Sequence, residues 1–118
     1  MELHTEKCIP CMGNAVPLTS EEIDELIQKI PAWRMEIHNN VPRLVRQFRF
    51  PDFAQAMQFA VEVGGMAEEQ GHHPAILVEY AKCTVSWWTH RINGLHRNDF
   101  IMAAKTDKIR SFTSLHTR

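Results

Sequence analysis

The chain predicts a two-layer α+β domain: a four-stranded antiparallel sheet with helices packed on one face. Three observations carry this. The periodicity runs helix, two strands, helix, two strands, helix. Each strand pair is joined by a turn too short for a crossover, so neighbouring strands pair as hairpins. The central helical stretch is apolar enough to need cover from a sheet.

Ser20 is a suitable N-cap, and Glu21 and Glu22 suit the positive end of a helix dipole. Ile23, Leu26, Ile27 and Ile30 follow at helical spacing until Pro31, giving a helix over about 20–30. Trp33, Met35 and Ile37 then alternate with Arg34, Glu36 and His38, the pattern of a half-buried strand. Asn39-Asn40 supplies positive φ for a tight turn, and Pro42 is tolerable at a strand edge. The return strand covers about 43–50. Leu44, Phe48 and Phe50 share one face, which Arg46 interrupts, while Arg43, Gln47 and Arg49 share the other.

Asp52 opens a long helix over about 52–70. One stripe holds Phe53, Ala56, Met57, Ala60, Gly64 and Ala67, and a second holds Phe59, Val63 and Met66. Together they span roughly 220° of the helix, about twice what one sheet requires. The expectation is that the Phe53/Met57/Ala60/Gly64 stripe meets the sheet. The Phe59/Val63/Met66 stripe then meets a second copy of the chain, or else the N-terminal helix. Gly71 sits where a C′ glycine closes a helix, and Pro74 forces His73 toward extended geometry.

The next strand, about 75–80, places Ile76, Val78 and Tyr80 on one side, with Tyr80 in the core. After a turn at Ala81-Lys82, Cys83, Val85 and Trp87 alternate with Thr84, Ser86 and Trp88 up to Thr89-His90. Parity puts His90 with Trp88, on the face opposite Cys83, Val85 and Trp87. Gly94 breaks the pattern, and Asn98 or Asn93 caps a last helix over about 97–112. Phe100, Ala103, Ala104, Ile109 and Phe112 form its buried side.

Residues 1–19 read as a flexible leader, with 20–118 forming the domain. The leader is polar, is interrupted by Pro10, Gly13 and Pro17, and contains Cys8-Ile9-Pro10-Cys11. A zinc site usually needs four ligands, and no second C-x-x-C exists to complete one. Donors would have to come from His4, His116 or another subunit. A mobile tail with two free thiols is the favoured reading.

The formal charge is −1, with 13 Lys and Arg scattered against 14 Asp and Glu. That argues against a nucleic-acid surface, which needs a concentrated basic face. No apolar run reaches the length of a membrane span, and the N-terminus lacks a signal-peptide core. Three cysteines give no disulfide framework, so the expected location is cytoplasmic.

The stretch Glu68-Glu69-Gln70-Gly71-His72-His73-Pro74 concentrates the chemistry, with His90 at the end of a strand. Histidine gives and takes protons near neutrality, so three of them at the ends of regular elements suggest proton transfer in a cleft. The pattern Glu68-x3-His72-His73-Pro74-x5-Tyr80-x9-His90-x8-Asp99 resembles the signature of the pterin-4a-carbinolamine dehydratase family. The resemblance extends to Trp33, to Gln47-Phe48-Arg49-Phe50 with Phe53, and to the helix carrying Ala67-Glu68. It covers about 20–112 and leaves Cys8 and Cys11 unexplained.

The resemblance implies dehydration of 4a-hydroxytetrahydropterin to the quinonoid dihydropterin, with no metal and no redox cofactor. That reaction recycles the pterin spent by aromatic amino-acid hydroxylases. By the same resemblance, His72 and His90 share the acid and base roles, in an order the residues leave open, and His73 positions the ring. Glu68, Trp88, Thr89 and Asp99 are implied as substrate-binding residues. For several of these the residues allow alternatives. Asp99 either orients a histidine or bonds the pterin's amide-like edge, Trp88 either stacks on the pterin or covers the sheet, and Glu68 either serves the site or ends a solvated helix. Extended neighbours point to opposite sides, so His72 and His73 should not act on one atom.

The implied assembly is a homodimer or homotetramer through helix 52–70. A different function on the same fold is a helix-mediated binding module, the coactivator-type dimerisation partner known among animal relatives. A third class is a metal protein using His72, His73 and His90, which adjacency of two histidines at an extended corner makes awkward.

Overall fold

The computed structural model describes residues 2–9 and 16–116, with side chains described as far as Ser111. Helix α1 is Ser20–Ile27, α2 is Phe53–Gln70 and α3 is Arg97–His116. Strands β1 (Arg34–His38), β2 (Val41–Arg49), β3 (Ala75–Glu79) and β4 (Lys82–Trp87) form one antiparallel sheet in the order β1-β2-β4-β3. Helix α2 lies over β3 and β4, α3 lies over β4 and β2, and the two helices touch each other. This is the expected α+β architecture.

Local chemistry sets the boundaries. The cap of α1 is Thr19, one residue before the expected Ser20. Its backbone is extended, its hydroxyl accepts from the Glu22 N–H, and the Glu22 carboxylate accepts from the Thr19 N–H. The helix stops at Ile27, short of the expected 30, and the chain turns through to Ile30. Asn39 and Asn40 adopt φ of 52° and 66°, the left-handed values a two-residue hairpin needs. Asp52 caps α2 by accepting from the Gln55 N–H at 2.9 Å, a bond worth about 1 kcal/mol.

At the other end of α2, Gly71 is left-handed (φ 66°) and its N–H returns to the Ala67 and Glu68 carbonyls. The N–H of His72 also reaches the Ala67 carbonyl, at 3.2 Å. The helix stop therefore fixes where His72 leaves the helix.

The expected orientation of α2 fails for its large side chains, although Ala56 and Ala67 of the stripe expected to face the sheet are buried. Phe59 and Val63 are fully buried against the sheet, with the Phe59 ring 4.7 Å from Phe48 and 5.2 Å from Phe50. Phe53 (45% exposed), Met57 (40%) and Val61 (68%) form the outward stripe. Both stripes are apolar, so periodicity could not choose between them. The large Phe59 ring fits the hollow between Phe48 and Phe50.

Two further expectations fail at the sheet edges. Tyr80 is 73% exposed, because the hairpin turn falls at Tyr80-Ala81 and Ala81 takes φ 63°. Met35 and Ile37 are exposed on the edge strand β1, since α2 and α3 lie over the other three strands. Arg46 interrupts the apolar face by design of its partner: its guanidinium binds Asp107 at 2.6 Å and covers the Phe48 ring. Asp107 also accepts from the Trp33 indole at 2.9 Å. Burial pushes the Asp107 carboxyl above its ordinary range, opposed by Trp33 and Arg46.

On α3, Phe100, Ile101, Met102, Ala103 and Thr106 are the buried positions, while Ala104 and Ile109 are half-buried. The Phe112 side chain lies outside the described residues.

Residues 2–9 are not a free tail. Leu3 is buried, the Lys105 ammonium donates to the His4 carbonyl at 3.0 Å, and Glu6 pairs with Arg97. Cys11 of the C-x-x-C lies outside the described residues, as does the His116 side chain. Cys8 is half-buried, and desolvation pushes its thiol up to about 11.

Candidate active site

The end of the sheet where β4 runs out and α2 hands over to β3 gathers the candidate residues. His72 leaves the Gly71 stop with its imidazole parallel to the Trp87 indole, the ring centroids 5.9 Å apart and the planes 8° apart. Its Nε2 lies 2.6 Å from Oδ1 of Asp99. Trp87 is fixed in turn, since its indole N–H donates to the Thr106 hydroxyl at 3.1 Å.

Asp99 is fully buried, and both of its oxygens are engaged. Oδ1 meets His72, while Oδ2 accepts from the Thr89 hydroxyl at 2.8 Å and the His96 backbone N–H at 2.9 Å. The last of these bonds is half of a helix cap. His96 precedes α3, its Nδ1 accepts from the Asn98 N–H at 3.0 Å, and Asp99 returns to the His96 N–H. His96 therefore takes the capping place expected of Asn98 or Asn93. Asn98 instead pairs with the backbone of Ile9, and Asn93 is a left-handed turn residue. One carboxylate thus starts α3 and holds the imidazole.

Thr89 is buried on the helix side, in the same parity as Trp87, and forms an isolated bridge with Gly94. The strand is expected to run on to His90, but β4 ends at Trp87 and His90 opens a 3-10 turn over His90–Ile92, so strand parity does not reach it. The His90 ring is exposed and lies 4.5 Å from Trp88, and the Arg43 guanidinium lies 3.8 Å over the Trp88 ring. Arg43 therefore occupies one face of the indole. Its buried Nε has no hydrogen-bond partner among the described residues.

His73 pairs with the Glu68 carboxylate, both groups being well exposed. The sequence-selected residues therefore fall into three neighbouring groups: His72–Asp99–Thr89, His73–Glu68, and His90–Trp88. The chain links them, because His73 follows His72 and Thr89 sits between Trp88 and His90. Among the described residues, no group of three or more His, Cys, Asp or Glu side chains is arranged to hold a metal ion.

Sequence reasoning missed Arg43, Trp87 and His96 as parts of this arrangement. The His96-x-x-Asp99 spacing was a legible capping signal. Nothing local pointed Arg43 at Trp88 or Trp87 at His72, since those contacts join separate elements.

Comparison with known proteins identifies the family. A family model described as pterin 4 alpha carbinolamine dehydratase matches residues 16–109. A Gloeobacter violaceus protein named "Putative pterin-4-alpha-carbinolamine dehydratase 1" is 53% identical over 109 residues, covering 92% of this chain and 94% of its own. A Chlorobaculum tepidum protein of similar name is 47% identical over 108 residues, covering 92% of this chain and 97% of its own. A crystal structure from Brucella melitensis, titled a transcriptional coactivator/pterin dehydratase, superposes with a TM-score of 0.70 at 30% identity. It covers 79% of this chain and 97% of that one. Among the described residues, no helix is long and apolar enough to cross a membrane. With its match to the family model running from the leader into the last helix, and relatives near half identity along almost their whole length, the chain belongs to the pterin 4 alpha carbinolamine dehydratase family.

Proposed function

We propose that the protein dehydrates 4a-hydroxytetrahydropterin to quinonoid dihydropterin and water, with His72 and His90 as the proton-transfer pair. The observation that carries this reading is the His72–Asp99 bond, which gives one imidazole a fixed orientation. A buried carboxylate accepting from Nε2–H holds the tautomer whose Nδ1 lone pair is free, and it stabilises the imidazolium that forms. With Nε2 engaged by Asp99, Nδ1 is the nitrogen that takes the substrate's proton.

On this reading His72 is the base that takes a proton from the ring nitrogen side. His90, exposed beside Trp88, is the acid that protonates the departing C4a hydroxyl. The carbon–oxygen bond breaks, water leaves, and the electron pair released at nitrogen forms the new double bond. Each of the two proton transfers is worth about 10²–10⁴-fold. His73, with Glu68 behind it, positions the pterin. Asp99 and Thr89 support His72 from behind, and Trp88, stiffened by Arg43, supports His90. The product is the form that a reductase would return to the cofactor pool of aromatic hydroxylation.

The test is a dehydratase assay on 4a-hydroxytetrahydropterin with purified, chelator-treated protein. Turnover that survives chelation is the expected result. Activity lost on chelation and restored by zinc would replace proton transfer by a metal mechanism.

A binding role has one observation in its favour. The outward stripe Phe53, Met57 and Val61 offers an apolar helix face to a second copy of the chain, giving a homodimer or homotetramer, or to a foreign helix. The Brucella relative's title carries both roles.

A further inference from the structure

Residues 6–9 precede the stretch matched by the family model, yet they are bonded to both segments that carry the His72–Asp99 pair. The Cys8 N–H donates to the Gln70 side-chain carbonyl at 3.1 Å, two residues before His72. The Ile9 N–H donates to Oδ1 of Asn98 at 3.1 Å, and the Ile9 carbonyl accepts from Nδ2 of the same side chain at 2.7 Å. Asn98 is buried and adjoins Asp99. Beside it, the Arg97 guanidinium forks onto both oxygens of Glu6, at 3.0 and 2.7 Å.

We propose that residues 6–9 form a positioning strap, and that Asn98 and Gln70 are positioning residues that tie it to the His72–Asp99 pair. The catalytic consequence rests on the proton-transfer reading of His72. The two partners sit at the C-terminal end of α2 and the N-terminal turn of α3, 27 positions apart in the chain. A hydrogen bond of 2.6 Å between helix ends tolerates only a few tenths of an ångström of drift before it weakens. The strap closes a circuit from Gln70 through Cys8 and Ile9 to Asn98, so the two ends cannot separate without breaking it. The amide of Asn98 engages both backbone groups of one residue, which fixes orientation as well as distance.

Trp87 supplies a readout that does not depend on turnover. Its indole lies parallel to the His72 imidazole, so the His72 ring protons carry a ring-current shift that reports their position. In the full-length protein, Asn98→Ala with Gln70→Ala should remove half or more of that shift in the NMR spectrum. In the same double variant kcat should fall roughly tenfold while KM stays within about twofold, as expected when a reacting group is misplaced but binding is kept. Lys82→Ala, at the far hairpin, should leave both unchanged. Replacement of buried Asn98 risks the fold, so Gln70→Ala with Glu6→Ala, which leaves the core intact, provides the second version. A His72 resonance that stays in place in whichever double variant folds overturns the strap. A resonance that moves, in a protein whose wild type never dehydrates the substrate, keeps the strap and removes the catalytic reading.

Discussion

Asp99 accepts from the backbone of His96 and bonds His72 with its other oxygen, so the residue that starts the last helix also aims the imidazole. Asp99→Asn keeps the shape and loses the charge. An amide can offer His72 its N–H as readily as its oxygen, so the tautomer is no longer dictated. We expect kcat to fall by about 10- to 100-fold with little change in KM, checked by steady-state kinetics beside a thermal melt. A loss of KM alone would place Asp99 on the substrate instead.

The histidines should separate by kinetic signature. His72→Ala and His90→Ala should each lower kcat by about 10²-fold or more in folded protein. His73→Ala, which removes an exposed ring paired with Glu68, should mainly raise KM. If His73→Ala abolished kcat with KM intact, the roles would have to be exchanged.

Assembly is testable on the outward stripe of α2. Each of its large apolar side chains would gain roughly 1.5–3 kcal/mol if fully covered, so a dimer or tetramer is expected by light scattering. Met57→Glu should split that assembly and leave the fold intact. Val63→Glu should instead unfold the chain, since Val63 is fully buried beneath the helix and an unpaired buried charge costs several kcal/mol. A wild type that scatters as a monomer removes the argument.

Thiol reactivity should follow burial. Desolvation pushes the Cys83 thiol up to about 11, and Cys8 likewise, where Asp99 also raises it and Lys105 opposes. A raised thiol stays protonated at neutral pH, and only the thiolate attacks. At pH 8 the thiolate fraction is then about 10⁻³, so both should alkylate on the order of a hundredfold more slowly than a free cysteine. The rate should climb about tenfold per pH unit toward 11. Peptide mapping after timed iodoacetamide treatment resolves each thiol, and fast labelling of Cys83 at pH 8 in folded protein would contradict its burial.

Features settled within a few residues were legible in the chain. Asn39-Asn40 set one turn, Gly71 stopped α2 and launched His72, and the alternation along β4 put Cys83, Val85 and Trp87 on the buried face. Each depends on backbone angles or on side-chain parity, which are local. Which large side chains of α2 face inward was left to the packing of the whole fold. Both stripes are apolar, and the choice rests on how Phe59 fits between Phe48 and Phe50, residues brought near by the sheet. Likewise the docking of residues 2–9, the Arg43–Trp88 contact and the His72–Asp99 bond join elements far apart in the chain. Such contacts leave no periodic trace, because their geometry comes from how whole elements pack and not from the conformation of any one of them.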